Sequence, residues 1–317
     1  PAGPGGGVVS LRIAYLGPQG TFCEAPLLTL PSSQDAVHVP SVSVQAAIDA
    51  VRAGDVDSAL IPIENSVEGS VSVTLDELAN GKRLVIIDEV ALPVRFALMA
   101  RRGTGMEGVR RIASHPHALA QVRRYLAETL PDATLIPATS TAGAAQALLQ
   151  DPLPFDAAVA PRLAADRYDL DVLADNVGDT QEATTRFVLV RLPGGIPGPT
   201  GADKTTLSLF MRLDQPGALM AILNEFAVRG VNLTRIESRP TRKALGDYFF
   251  SVDIEGHVAD ARVAEALMGL HRVCLDVRFL GSYPRHDGRQ PVIRPGVTDT
   301  DFAEAGKWLD KLKGTSQ

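Results

Sequence analysis

Seven of the nine residues from Pro193 to Gly201 are proline or glycine, and this run constrains the fold more than any other stretch. Proline has no amide to donate and glycine loses the most conformational freedom on ordering, so neither a helix nor a central strand can pass through it. It reads as a linker over 193–203. The linker divides 317 residues into two parts that are each long enough to build a core, and the hydrophobic pattern differs on its two sides.

Before the linker, strand and helix patterns alternate. "LRIAYLG" is a short buried strand ending in a turn. In "SVQAAIDAVRAG", Val44, Ala47, Ile48 and Val51 fall at i, i+3, i+4 and i+7, which predicts a helix with Ser43 capping its start and Gly54 its end. "SALIPIE" is a strand and "VTLDELAN" a helix, and "RLVIIDEVALPVRFALMA" supplies two strands or one long bent one. Next come "VRRIASHP" (strand, then helix start), "HALAQVRRYLAETL" (one helix), "ATLIPAT" (strand), "STAGAAQALLQ" (helix) and "FDAAVAP" (strand). This alternation predicts parallel βαβ units, with ligands at the carboxyl ends of the strands. Polar loops stand at those ends: "GPQGTF", "ENSVEGS", "SHPH" and "TSTAG".

Beyond the linker the order of patterns is βαββαβ over 204–283, a ferredoxin-like plait. A polar tail, 284–317, follows and contains a helical pattern, "TDFAEAGKWLDKLK", with the single tryptophan, Trp308. This helix docks on the core or on a neighbouring subunit.

Composition removes several function classes. A net charge of −6 leaves no basic field for nucleic acid. The two cysteines, Cys23 and Cys274, are far apart and form neither a disulfide framework nor a thiolate zinc motif. No run approaches the roughly 18 apolar residues of a membrane span. Residues 1–10 are expected to be a disordered leader without the basic start of a signal peptide, which points to the cytoplasm. There is no HExxH, no GxSxG and no dinucleotide fingerprint, so metal, hydrolase-triad and nicotinamide chemistry have no sequence support.

Other residues suggest anion binding. Ser114 and Pro116 open one helix, and Thr139, Ser140 and Thr141 another, so both helix starts present free amides. "NVGDTQEATTRFVLV" sets Thr185 and Arg186 at the mouth of a core strand. "PIENSVEGS" sets Glu64, Asn65, Ser66 and Glu68 at a strand end. Gly217 in "DQPGALMAI" permits close backbone approach to a ligand, and "ESRP" ends the following strand.

Taken together, "IAYLGPQGTF", "PIENSVEGSV", "SHPHALAQ" and "TRF", with "GAL" and "ESRP" after the linker, resemble the monofunctional prephenate dehydratases that carry a C-terminal ACT domain. The motifs stand in the family's order over residues 11–283. Three positions depart from it: Ala183, Cys23 and His117, the last where the family often carries glutamine. The resemblance implies an α/β catalytic domain over 11–192 with two lobes of periplasmic-binding-protein type. Lobe 1 is about 11–92 with 173–191 and lobe 2 about 93–172, followed by the ACT domain over 204–283.

It also implies conversion of prephenate to phenylpyruvate, carbon dioxide and water without cofactor or metal, since aromatisation drives the loss and no redox step occurs. Thr185 would be the donor to the departing hydroxyl, Asn65 and Gln121 assisting donors, and Glu64 a carboxylate that orients its neighbours. Threonine is a poor general acid, so its contribution is a positioned hydrogen bond. Arg186 either anchors a carboxylate or holds its strand, and Phe187 either dries the cleft or packs in the core. Thr21, Ser66, Ser114, His115, Ser140 and Thr141 would bind substrate. L-Phenylalanine would bind at Gly217, Ala218, Leu219, Asn232, Glu237, Ser238, Arg239 and Pro240, in a homodimer or homotetramer. Two readings stay open beside this one: arogenate dehydratase, and a non-catalytic amino-acid sensor of the same fold.

Overall fold

The computed structural model describes residues 10–180, 182–212, 215–242 and 247–314, so all of the expected leader except Ser10 lies outside the described residues. The chain forms two compact units, Pro1–Thr74 with Val90–Phe187 and Leu75–Glu89 with Val188–Gln317.

The chain opens with β1 (Arg12–Leu16), β2 (Val37–Ser41), α1 (Val44–Ala53), β3 (Ser58–Asn65), the two-residue β4 (Gly69–Ser70), α2 (Ser72–Ala79) and β5 (Val85–Pro93). Then follow β6 (Phe96–Ala100), β7 (Arg111–Ser114), α3 (Pro116–Gln121), α4 (Arg123–Thr129), β8 (Thr134–Pro137), α5 (Thr141–Ala147), β9 (Ala157–Pro161), α6 (Arg162–Tyr168), β10 (Asp171–Ala174) and β11 (Thr184–Arg191). Two sheets result. One has the order β2-β1-β3-β11-β5 with β4 beside β3, and the other β10-β6-β9-β7-β8. β11 thus returns to the first sheet after the chain has built the second, which is the two-lobed arrangement the resemblance implies.

Helix α1 forms as its periodicity predicts. Ser43 Oγ accepts from Ala46 N at 3.0 Å, Gly54 ends the helix at φ 83°, and Val44, Ala47, Ile48 and Val51 are buried. Each such aliphatic burial contributes about 1.5–3 kcal/mol for the larger side chains.

Two expectations fail locally. "HALAQVRRYLAETL" is not one helix, because Val122 leaves the helical region at φ −119°, ψ 11° and α4 starts afresh. Asp179 supplies the new cap: its carboxylate accepts from Arg124 N at 3.0 Å and Tyr125 N at 3.2 Å, while its own amide donates to Gln121 O at 2.7 Å. The second sheet is also not all parallel. β7 runs parallel to β8 and β9, but β6 is antiparallel to both β9 and β10. Only Val94 and Arg95 separate β5 from β6, so no crossover helix precedes β6 to set it parallel. No element is expected from sequence over 162–174, where α6 and β10 form. With only Ala164 and Ala165 buried, α6 has no broad apolar stripe to reveal it.

The second unit holds β12 (Asp203–Phe210), α7 (Ala218–Ala227), β13 (Leu233–Pro240), β14 (Tyr248–Glu255), α8 (Ala261–Val273), β15 (Asp276–Pro284) and α9 (Asp299–Leu312). The sheet order β13-β14-β12-β15, antiparallel throughout, is that of the expected plait. Its core joins Leu207, Leu209, Ile222, Phe226, Val252, Ile254, Val263, Ala266 and Leu270. Helix α9 is N-capped by Thr298, and Asp299 accepts from Ala261 N at 2.8 Å; none of its residues is buried and Trp308 is 63% exposed.

Residues 75–89 pack in this unit through charge. Asp76 receives Arg239 Nε at 3.1 Å and Nη2 at 3.0 Å, and also Arg242 Nη2 at 2.6 Å. Arg278 donates to Leu78 O at 3.3 Å and Gly81 O at 2.8 Å, and Lys204 Nζ pairs with Glu89 at 2.8 and 2.9 Å. Gly281, at φ +130°, lies so close to β5 that a Cβ there would stand 2.2 Å from Ile86 O.

Candidate active site

The first unit contains a cleft of about 860 Å³. Its floor is the end of β11, where Phe187 and Thr185 face it, together with Pro62 and Asn65 at the end of β3. Thr21, Phe22 and Cys23 line it from the turn after β1, His115, His117, Ala118 and Gln121 from the start of α3, and Thr139, Ser140 and Thr141 from the start of α5. Polar loops at strand ends therefore converge, as strand–helix alternation predicts. The "GPQGTF" turn relies on Gly20, at φ +82°, whose missing Cβ would otherwise stand 3.0 Å from Ala164 Cα on α6.

Thr185 is held by one defined contact. Asn65 Nδ2 donates to Thr185 Oγ1 at 2.9 Å. The orientation of that amide is itself fixed, since Asn65 Oδ1 accepts from Val67 N at 2.8 Å and Glu68 N at 3.0 Å. With its oxygen occupied by two donors, Asn65 can present only N–H to the threonine. The Thr185 oxygen thus acts as acceptor and keeps its own proton available for another group.

Ser66 and Ser114, expected to bind substrate, do not line the cleft and make hydrogen bonds within the scaffold. Ser66 N donates to Thr184 O at 2.9 Å and Ser66 Oγ accepts from Thr184 N at 2.9 Å, which ties the loop to β11. Ser114 is fully buried and its hydroxyl donates to Val159 O at 2.5 Å, so it cannot cap the next helix. His115 does that, its Nδ1 accepting from His117 N at 3.3 Å. Arg186 Nε donates to Glu64 Oε2 at 3.1 Å between the adjacent strands β11 and β3, and neither residue lines the cleft. Ser140 is a true cap, accepting from Gly143 N at 2.9 Å.

Glu68, which the sequence leaves without a role, crosses the cleft. His117 Nδ1 lies 2.8 Å from Glu68 Oε2 and Gln121 Nε2 donates to Glu68 Oε1 at 3.0 Å. Its position four residues after Glu64 in a polar loop gave no signal, because its partners lie on an element about fifty residues away in sequence. The electrostatics are otherwise quiet. Burial pushes the Cys23 thiol up to about 12, and burial together with Glu24 raises Tyr168. The His115 imidazole is lowered, by burial first and by the neighbouring His117 second. Among the described residues no lysine or arginine lines the cleft, and no group of three His, Cys, Asp or Glu is placed to hold a metal.

The second unit has its own pocket, of about 520 Å³, lined by Gly217, Ala218, Leu219, Met220, Ser238, Tyr248 and their neighbours. Gly217, at φ 85°, starts α7, and a Cβ there would meet nothing within 4 Å. Gly217, Ala218, Leu219 and Ser238 therefore come together as expected, whereas Asn232, Glu237, Arg239 and Pro240 do not line this pocket. Strand alternation explains part of this, since Ser238 and Arg239 point to opposite faces of β13. Arg239 is engaged by Asp76, and Asn232 offers its carbonyl to Glu255 N at 2.9 Å.

Comparison with known proteins gives a consistent picture. Residues 13–193 match the family model for prephenate dehydratase and residues 205–272 that for the ACT domain. A prephenate dehydratase of Amycolatopsis methanolica is 46% identical over 96% of this chain and 99% of its own length. That of Mycobacterium tuberculosis strain H37Rv is 49% identical over 96% of this chain and 94% of its own. The crystal structure of prephenate dehydratase from Arthrobacter aurescens in complex with L-Phe superposes with a TM-score of 0.92 at 49% identity, covering 96% of this chain and all of that one. A quorum-quenching acylase, GqqA, superposes with a TM-score of 0.77 at 32% identity, over 86% of this chain and 97% of its own.

Proposed function

The chain belongs to the prephenate dehydratase family, and from that premise we propose that it converts prephenate to phenylpyruvate, carbon dioxide and water under control by L-phenylalanine. In this reaction the ring carboxylate leaves as carbon dioxide. The electron pair of the broken C–C bond enters the ring, the C–O bond to the ring hydroxyl breaks, and the ring becomes aromatic. The departing oxygen gains negative charge and needs a donor.

The hydrogen bond from Asn65 to Thr185 carries this reading. It leaves the Thr185 proton directed away from Asn65 and available to the leaving oxygen, and such a preorganised donor supplies about 2.7–4 kcal/mol. The absence of lysine and arginine from the described cleft lining supports it as well. A cation beside the ring carboxylate would stabilise the ground state, in which that charge is localised, more than the transition state, in which it is being lost. Gln121, Thr21, Ser140, Thr141 and His115 are neutral donors suited to hold the substrate, while Glu64, Arg186 and Ser66 act through the strands they fix. Acylase chemistry asks for a nucleophile next to a base. Here Thr185 has an amide beside it, and burial pushes the Cys23 thiol up to about 12.

The effector would sit in the second pocket with its amino-acid backbone near Gly217 and Ala218. Leu219 is 38% exposed, Met220 63% and Tyr248 41% at its edge, a surface suited to cover by a second copy in a homodimer or homotetramer. No helix among the described residues is long and apolar enough to cross a membrane, and a small-molecule biosynthetic role fits the cytoplasm. The test is phenylpyruvate formation from prephenate at neutral pH, with and without L-phenylalanine. Turnover suppressed by phenylalanine is expected. A folded protein that turns over arogenate but not prephenate, or neither, would overturn the assignment.

A further inference from the structure

Past its first turn, helix α9 lies open to solvent, with every residue from Ala303 to Gly314 exposed. A helix of 14 residues is marginal in water when it stands alone, and the capping box formed by Thr298 and Asp301 secures only its start. The open side is apolar. Phe302, Ala305, Leu309 and Leu312 fall at the a and d positions of two heptads, and Trp308 stands beside them at a g position. Charge is divided along the same helix: Asp299, Asp301 and Glu304 lie in its first half, and Lys307, Lys311 and Lys313 towards its end.

We propose that α9 is a self-association element that packs antiparallel on α9 of a second copy of this chain. The register that layers Phe302 on the partner's Leu312, and Ala305 on the partner's Leu309, also sets Asp299 opposite the partner's Lys313, twice by symmetry. Asp299 Oδ1 accepts from Ala261 N at 2.8 Å, which orients the carboxylate at the head of the helix. The same register brings Gly306 to the two-fold axis on one flank, where a Cβ would meet nothing within 4 Å and its absence lets the two backbones approach. On the other flank Trp308 meets its own counterpart. Parallel pairing would instead face Asp301 with the partner's Gly306 and Trp308 with the partner's Lys313, and would form no ion pair.

This surface is separate from the effector pocket. Gly217 starts α7, whereas the chain leading into α9 meets Gly230, beyond the other end of α7, with Val297 Cγ2 2.7 Å from where a Cβ would stand. With both surfaces paired, two distinct two-fold contacts on one chain close as a tetramer of dihedral symmetry. Two helices of about 21 Å bury less than a standard interface, so α9 sets the last step of assembly.

Trp308 is the single tryptophan, so its fluorescence reports on α9 alone. The experiment measures Trp308 emission, its quenching by acrylamide and the mass from light scattering on the full chain, in wild type and in the double variant Leu309→Glu/Leu312→Glu. Wild type should emit to the blue of N-acetyltryptophanamide and quench several-fold less. The double variant should quench like that compound, have half the wild-type mass and keep the wild-type melting temperature. A short bis-maleimide should join Gly306→Cys into a covalent dimer but leave Ala303→Cys, on the opposite face of α9, as single chains; Cys23 and Cys274 are buried and add little background. A wild-type Trp308 as open to acrylamide as the free compound would overturn the proposal. A protected Trp308 in a chain whose mass the double variant leaves unchanged would also do so, because α9 would then fold back on its own core. Gly306→Cys that crosslinks no better than Ala303→Cys would exclude the antiparallel pair.

Discussion

The second unit and the cleft of the first treat charge in opposite ways. In the second, ion pairs are taken out of water to hold structure. Lys204 and Glu89 keep 7% and 0% of their side-chain surface, Arg235 and Asp253 keep 6% and 1%, and Asp76 is gripped by Arg239 and Arg242. In the first, the cleft is lined by hydroxyls, amides and imidazoles, with one carboxylate that is masked. The contrast follows from what each must do. A buried ion pair fixes geometry at a high desolvation cost and tolerates little change. A site that must let a carboxylate leave as a neutral gas gains more from neutral donors than from a cation that would hold the departing charge.

The sharpest way to break this comparison is to remove one buried partner. Glu89→Ala leaves Lys204 uncompensated and should destabilise the second unit by about 3–5 kcal/mol in denaturant titration. Replacing both by well-packed apolar residues should recover most of that loss. If Glu89→Ala unfolds at the wild-type denaturant concentration, the pair is not structural.

Next in size is Asn65→Ala. Losing the amide that orients Thr185 should lower kcat by roughly 1–3 kcal/mol, about five- to 150-fold, with KM and melting temperature nearly unchanged. A rise in KM alone, with kcat unchanged, would mean that Asn65 holds substrate rather than Thr185.

Asp76→Ala sharpens the comparison at the regulatory end. Ser238 lines the pocket of the second unit while Arg239, next to it, grips Asp76 on α2, and the same helix carries Thr74, whose hydroxyl donates to Pro62 O at 2.6 Å on the cleft-lining end of β3. Releasing Arg239 should weaken phenylalanine inhibition by about 1–3 kcal/mol, the usual range of a coupling free energy, while phenylalanine still binds in calorimetry. Loss of binding itself would return Arg239 to the role of a direct effector contact.

The smallest effect is on stability with pH. The folded-state imidazole of His115 is lowered by burial and by His117, so the folded protein binds fewer protons there than the unfolded chain. Its contribution is complete above the ordinary imidazole value of about 6.5 and is lost as pH falls through the lowered one. His115→Gln should flatten that slope in melting temperature between about pH 5 and 7.

Much of this organisation was legible in the residues. The i, i+3, i+4, i+7 pattern from Val44 to Val51 reports local geometry, and with the family resemblance of the motifs it carried the fold class and the floor of the cleft. What escaped was non-local. Asp179 breaks the α3–α4 run by capping from a segment far along the chain. Ser114 looks like a cap until β9 takes its hydroxyl. Glu68 is an unremarked loop carboxylate until α3 meets it, and the sequence gives no sign that Arg239 pairs with Asp76. Sequence spacing states which faces exist, and the partner across a sheet or cleft decides what each face does.

The central claim is that Thr185 acts as a neutral, positioned donor to the leaving oxygen. Its most direct test is single-turnover conversion of prephenate to phenylpyruvate by wild type, Thr185→Ser and Thr185→Val, each with its melting temperature. The predicted result is a loss of about 10²–10³ in rate for valine, near-complete retention for serine, and little change in melting temperature. A valine variant that turns over at the wild-type rate would contradict the account.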